Sequence, residues 1–335
     1  MPLSLNEKFA ENVLDLKKVE QVPTRKGYGE GLLEAGDKNS NVVALCADLT
    51  ESTQTHLFAK KFPDRFIEMG VAEQNLATVA AGLATVGKIP YITSYAMFSP
   101  GRNWEQIRTT ACYNNLPVKI IGSHAGVSVG PDGATHQAVE DIAITRVIPR
   151  MTVIVPCDVH EGKKAALAAL DINGPVYIRY TREKTPVITT ESSKFEVGKA
   201  QIYFDADGEL DVTIIACGPL VHNALLAAND LEKEGFKVRV INNHTIKPID
   251  EETIIQSAKD SGAIVTVEEH QVAGGMGSAI AEVLAKNYAV PIEFIGVQDR
   301  FGESGDPNEL IEEFGMGVKH IKEAVKKVIK NKRVK

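Results

Sequence analysis

Short apolar runs rich in β-branched residues alternate with helix-period segments over most of this chain. Residues 1–22 form a charged amphipathic lead-in, expected to be partly helical. The first cycle then pairs a helix over 26–35 with a strand over 42–46. Strands follow at 66–68, 89–94, 118–122, 152–155 and 176–180. Helices are expected between them, over 73–86, 104–113, 136–145 and 159–170. A second series has strands at 212–216, 238–241, 264–267 and 292–295 and a last helix near 318–329. Runs buried on both faces imply mostly parallel sheets covered by helices. The expected fold is therefore α/β, with two consecutive three-layer α/β/α domains at 23–185 and 198–330, joined by a linker over 186–197.

One stretch stands out, EMGVAEQNLATVAAGLATV at 68–86. Ala77, Ala80, Ala81 and Ala84 imply close packing against another surface. Glu73 in the first turn could simply favour the helix dipole or satisfy free N–H groups.

Composition narrows the class. The 335 residues are 44% hydrophobic and 24% charged, as in ordinary soluble globular chains. A net charge of -7 argues against a phosphate-backbone binder, and the basic run at 326–335 reads as a solvated helix end. No apolar run approaches a membrane span, and the N-terminus lacks a signal-peptide core. The scattered Cys46, Cys112, Cys157 and Cys217 read as reduced core residues. A cytoplasmic location is expected.

Ligands of open parallel sheets bind beyond the C-terminal ends of the strands. Asp48, Leu49 and Ser52 follow the strand at 42–46, and Glu73 the one at 66–68. Tyr95 and Phe98 follow 89–94, and His124 follows 118–122. A glycine-rich loop then brings Asp132 and His136, and Arg182 follows 176–180. Singly, His124 could be a satisfied strand-end histidine and Arg182 a solvated one. Together, around a long loop, they favour a site. Metal binding fits poorly, because the two histidines lack zinc-ligand spacing and no thiolates accompany them, and a Ser-His-Asp hydrolase fits poorly because no G-x-S-x-G elbow occurs. The glycines at 274, 275 and 277 could cradle phosphate at a helix start, with tight strand-to-helix packing the commoner cause.

These residues carry a resemblance to the C-terminal half of transketolases, thiamine diphosphate enzymes. GVAEQN (70–75) resembles the family's glutamate motif, and TRK (24–26) and ADLTES (47–52) its sugar-phosphate motifs. SHAGVSVGPDGATHQAVED (123–141) is similar to its histidine-aspartate-histidine loop, and GPVYIRYTR (174–182) to its phosphate-arginine segment. The resemblance implies that Glu73 binds the cofactor's pyrimidine nitrogen and promotes ylid formation. Phe98 and Tyr95 would stack on the pyrimidine, with Asp48 and Leu49 also lining the cofactor. His124 and His136 would be catalytic and, with Asp132, bind substrate hydroxyls, either histidine relaying protons near neutral pH. Arg25, Ser52 and Arg182 would hold the sugar phosphate. The reaction implied is two-carbon ketol transfer from a ketose phosphate to an aldose phosphate, as in the non-oxidative pentose phosphate pathway.

There are departures. Asn75 stands where many relatives have histidine, and SPGRNW (99–104) carries an extra residue, leaving open whether Arg102 or a neighbour up to Trp104 faces the substrate. The family's diphosphate domain has a GDG motif, and none occurs here. The resemblance therefore implies an N-terminal partner subunit carrying the diphosphate and Mg²⁺ site. It also implies a heterotetramer built as a dimer of heterodimers, an interface including the alanine-rich helix, and no activity for the single chain. Alternatives are a deoxyxylulose-phosphate synthase-like half, a 2-oxoacid dehydrogenase E1 β subunit, or a non-catalytic subunit. His124 argues against the first, Arg25 and Arg182 against the second, and the set of site residues against the third.

Overall fold

In the computed structural model, which describes residues 8–332, alternate residues of the central strands go to opposite faces of a sheet. The first unit runs β1 (Gln21–Pro23), α1 (Thr24–Lys38), β2 (Val42–Cys46), α2 (His56–Lys61), β3 (Phe66–Glu68) and α3 (Glu73–Thr85). It continues through β4 (Ile89–Tyr95), α4 (Trp104–Gln106), β5 (Lys119–Ser123), α5 (Asp141–Arg146), β6 (Thr152–Ile154), α6 (Val159–Leu170), β7 (Val176–Arg179) and β8 (Lys184–Pro186). Val42, Ala44, Tyr91, Ile121 and Ile178 pack with Tyr28 and Leu32 of α1 and Ala165 and Ala169 of α6. Their neighbours Val43, Leu45, Ile92, Ile120 and Tyr177 turn the other way, toward Leu76, Ala77, Ala80 and Ala84 of α3.

The second unit comprises β9 (Gln201–Asp205), β10 (Val212–Ala216), α7 (Leu220–Lys233), β11 (Val238–Asn242), β12 (Thr245–Lys247) and α8 (Glu251–Ser261). Then come β13 (Ile264–Gln271), α9 (Met276–Asn287), β14 (Ile292–Val297), α10 (Pro307–Glu313) and α11 (Val318–Lys332). Its sheet order is β14-β13-β10-β11-β9, with β9 the antiparallel member. The first sheet reads β12-β6-β7-β5-β4-β2-β3, so a strand from the second unit forms its edge. There β12 runs antiparallel to β6, pairing Thr245 with Ile154. The apolar layer is continuous across the two units, uniting Val153 and Val155 with Ile215, Ile241 and Ile280. The fold is thus the expected pair of mostly parallel three-layer units.

Several local expectations change. The described part of the lead-in, 8–20, is turns rather than helix, tied down by Phe9 bridging Thr189 and by His222 bonded to the Val13 carbonyl. The expected linker begins inside β8, which pairs with β1, and buries Val187, Ile188 and Thr189. The helix expected over 136–145 starts only at Asp141, because Ala138 bridges Ala125 in extended backbone. The helix over 104–113 is α only to Gln106 and then π over Ile107–Cys112. The alanines of α3 are buried within this chain, while Gln74, Asn75, Thr78, Val79, Gly82, Thr85 and Val86 are exposed. At the glycine cluster the first amides of α9 are already taken. Glu268 accepts from Met276 N–H at 2.7 Å and Gly277 N–H at 2.8 Å, and a Cβ at Gly275 would stand 2.2 Å from its Oε2. The chain's own carboxylate fills the place a phosphate would need. All four cysteines are buried and unpaired.

Candidate active site

The loops after β2, β3, β4, β5 and β7 emerge at the same edge, because these strands are parallel. After β2, Asp48 sits exposed in the left-handed region (φ 58), where Asp is among the tolerated residues. Its N–H donates to Glu68 Oε1 at 2.8 Å, as does that of Gly70 at 2.9 Å, and Thr50 Oγ1 donates to Oε2. Glu68 therefore ties the β2 loop to the turn before α3. Sequence reasoning missed it, although it stands at a strand end just before Gly70. Leu49 lies half-buried in the same loop, its carbonyl accepting from Thr53 N–H.

Glu73 opens α3 and is 2% exposed. It caps no amide, and Oε2 lacks a hydrogen-bond partner. Its nearest cation is Arg102, with Nη1 3.7 Å away and an exposed side chain. Asn103 Nδ2 donates to the Glu73 carbonyl and to Ser99 Oγ, tying α3 to the turn after Phe98. Of the 102–104 stretch, Arg102 reaches the carboxylate, whereas Trp104 donates to the Ile144 carbonyl at 2.6 Å. A buried carboxylate oxygen without a donor is costly and calls for an explanation. Asp141 Oδ1 shares that state, but Asp141 Oδ2 is held by Arg179 and Tyr177, whereas Glu73 has only the longer contact to Arg102.

The aromatic and imidazole rings cluster. Tyr95 stacks on His124 with centroids 3.8 Å apart, and Phe98 meets His136 edge-on at 5.4 Å. His124 is 1% exposed and has φ 55. Its Nδ1 lies 2.9 Å from Ser123 Oγ, and His136 Nδ1 lies 2.9 Å from Thr135 Oγ1. Neither Nε2 has a partner among the described residues. Burial, with Arg25, Arg182 and His136 nearby, pushes the His124 pKa down to about 3, so the ring is neutral at physiological pH.

The two arginines are positioned by main-chain carbonyls. Arg25 Nε donates to the Arg182 carbonyl at 3.0 Å and Nη1 to that of Ser52, while Arg182 Nη1 donates to the Val129 carbonyl at 2.7 Å. Arg182 Nη1 also stands 3.3 Å from Glu183 Oε1, and the guanidinium donors not used in these contacts stay available for an anion. Burial lowers the Arg25 pKa, yet a guanidinium stays charged. Ser52 enters the cluster through its carbonyl. Asp132 is exposed at the end of the 3₁₀ turn Val127–Asp132 and makes no side-chain hydrogen bond among the described residues. Behind the loop, Asp141 accepts from Arg179 Nε at 2.9 Å and Tyr177 Oη at 2.6 Å, a buried brace.

Among the described residues no group of His, Cys, Asp and Glu is arranged to hold a metal ion, and no helix is long and apolar enough to cross a membrane. A cavity of about 840 Å³ lies elsewhere, lined by Glu303, Ser304, Glu309, Glu312, Glu313 and His320, and none of the site residues lines it. These strand-end residues thus form an open half-site: a buried carboxylate with one oxygen lacking a hydrogen-bond donor, aromatic faces, two free imidazole nitrogens and two oriented guanidinium groups.

Comparison with known proteins follows the same lines. Residues 20–187 match the family described as transketolase, pyrimidine binding domain, and residues 198–321 match transketolase, C-terminal domain. A putative transketolase C-terminal section from Methanocaldococcus jannaschii is 48% identical over 310 residues, covering 90% of this chain and 96% of that protein. A 6-deoxy-6-sulfo-D-fructose transketolase subunit from Clostridium sp. is 42% identical over 315 residues, covering 94% and 97%. A solved structure titled split gene transketolase, inactive beta4 tetramer, superposes with a TM-score of 0.86 at 46% identity, covering 93% of this chain and 100% of that one.

Proposed function

Because this chain belongs to the transketolase family, we propose that it is the C-terminal subunit of a two-chain transketolase that moves a two-carbon ketol unit between sugar phosphates. The observation that carries this reading is the buried Glu73, whose Oε2 has no hydrogen-bond donor, at the same sheet edge as the aromatic and imidazole cluster. A carboxylate oxygen lacking a donor suits a ring nitrogen of thiamine diphosphate, so the residues present fit that cofactor. When bound, thiamine diphosphate supplies the carbon nucleophile and electron sink for cleaving a ketose C2–C3 bond. Glu73 holds or gives a proton at Oε2, and Phe98, Tyr95, Leu49 and Asp48 hold the ring in place. His124, neutral, and His136 offer Nε2 to substrate hydroxyl and carbonyl oxygens, with Asp132 reading a further hydroxyl. Arg25 and Arg182, with Ser52, grip the terminal phosphate. Water is excluded once a second subunit covers the open edge.

The relative named as a transketolase C-terminal section, matched over 96% of its own length, supports an N-terminal partner chain holding the diphosphate and Mg²⁺. The beta4 tetramer titled inactive supports the same need for a partner. The exposed stripe of α3 and its C-cap, including Val79 and Val86, is the face we assign to that contact in a dimer of heterodimers. Mixing the chain with the GDG-bearing subunit, thiamine diphosphate, Mg²⁺, xylulose 5-phosphate and ribose 5-phosphate tests this. Glyceraldehyde 3-phosphate and sedoheptulose 7-phosphate should form in the mixture and in neither subunit alone. Turnover by the single chain, or an associated complex that makes neither product, would overturn it. The sulfo-sugar named for the Clostridium relative makes a sulfonated ketose the second donor to try, since paired guanidinium groups grip either oxyanion.

A further inference from the structure

The loop that leaves β5 and carries His124, Asp132 and His136 is held largely by the second unit. Glu269 of β13 sends its carboxylate across the boundary, where Oε1 accepts from Ser128 N–H at 2.7 Å. The approach is close because residue 126 is glycine, at φ 87, and a Cβ there would stand 2.2 Å from that oxygen. Gln137 Nε2 donates to the Val127 carbonyl at 2.9 Å within the loop and to the Glu303 carbonyl at 2.9 Å beyond it. Gln271 N–H donates to the Val139 carbonyl at 2.7 Å, closing the loop's far end. Arg179 Nη2 bonds the carbonyls of both Glu269 and Ala138, so the clamp shares its footing with the brace on Asp141.

Glu269 is 3% exposed, and its side chain makes no hydrogen bond to its own unit among the described residues. A carboxylate buried that deeply needs compensation: it takes the amide in the middle of the loop, with the Arg179 charge nearby. Core packing of the second unit does not call for it there. We propose that Glu269 is a positioning residue, fixing through Ser128 N–H the turn between His124 and His136, so that the second unit sets the geometry of the sugar-binding half-site. This rests on those histidines binding substrate, as argued above.

The test compares Glu269→Ala, Glu269→Gln and Glu269→Asp in the full chain and in the reconstituted complex. Glutamine keeps an acceptor at the same reach, whereas aspartate withdraws it by one methylene. Amide exchange of the 126–131 segment should rise about tenfold in the Ala and Asp variants, about the net worth of one hydrogen bond. Exchange in strand 119–122 should not move. In the complex, KM for the ketose phosphate should rise about tenfold, with thiamine diphosphate affinity within about twofold of the parent. The Gln variant should restore both. Equal rises in loop and strand, no rise at all, an unchanged KM, or a Gln variant as impaired as Ala would each overturn the proposal. If Ala does not fold, the Gln–Asp pair carries the comparison. A parent complex that transfers nothing between sugar phosphates defeats the proposed function instead, and the exchange data still decide whether Glu269 holds the loop.

Discussion

Glu73 keeps a carboxylate oxygen without a donor inside a chain whose other polar groups are mostly paired. Replacing it by glutamine removes the charge and keeps the shape. Transfer by the reconstituted complex should fall by about 10²–10⁴-fold, the usual contribution of a proton-handling group. The thermal midpoint of the free chain should hold or rise, read by calorimetry. Arg102 is the nearest cation, and Arg102→Ala should leave folding intact while altering cofactor affinity, read by titration of the assembled enzyme. His124 makes a sharper claim. Its folded pKa of about 3 lies below the ordinary 6.5, so between those values the folded chain binds fewer protons than the unfolded one. The stability linked to this ring is full above pH 6.5 and drains as pH falls toward 3, at about 1.4 kcal/mol per unit at most. Its ring resonance should show no titration between pH 5 and 8, and an inflection near 6.5 in labelled protein would refute the burial argument. Glu161, pushed up to about 7 mainly by burial, has the opposite slope between the ordinary 4.5 and that value. Bulk acid unfolding therefore mixes the two, and a site-resolved probe is required.

At the scale of elements, Asp158 shows how one side chain starts a helix and anchors a neighbour. Oδ1 caps α6 through Glu161 N–H at 2.9 Å and accepts from Thr189 Oγ1, while Oδ2 accepts from Ile188 N–H at 2.8 Å. Asp158→Ala should cost about 2–4 kcal/mol in urea unfolding, a lost cap plus buried donors left unpaired. A loss under about 0.5 kcal/mol would mean that water replaces the carboxylate. The same residue explains what the sequence hides. The central strands were legible because β-branched runs such as Val42–Cys46 have no competing local preference. The segment after β7 reads as polar linker because its threonines are ambiguous locally, and Thr189 finds its partner in a carboxylate some 30 residues away. Likewise β9 and β12 exist through cross-strand pairing, which leaves little trace in three to five residues. At the site, the strand-end rule gathered Arg25, Tyr95, Phe98, His124, His136 and Arg182 once the resemblance added Arg25. Glu68 and Glu269 escaped because each acts on a backbone amide distant in sequence, and a lone strand glutamate carries no signature.

The whole molecule presents its chemistry on an open edge. Adding the partner subunit should raise the thermal midpoint of this chain in a concentration-dependent way, as any ligand selective for the folded form does. A midpoint unchanged at saturating partner would argue that the exposed face of α3 is not the contact. The two units are also less separable than their serial order suggests. Because β12 supplies the edge of the first sheet beside β6, residues 8–190 made alone leave that edge bare, an invitation to pair with another copy. Such a fragment should aggregate, and light scattering would show it. Heredity meets the same constraint. A recombination that parts the first unit from the segment at 245–247 delivers an unfinished sheet to both products. Through gene fusion and fission alike, the two units are expected to travel as a single cassette.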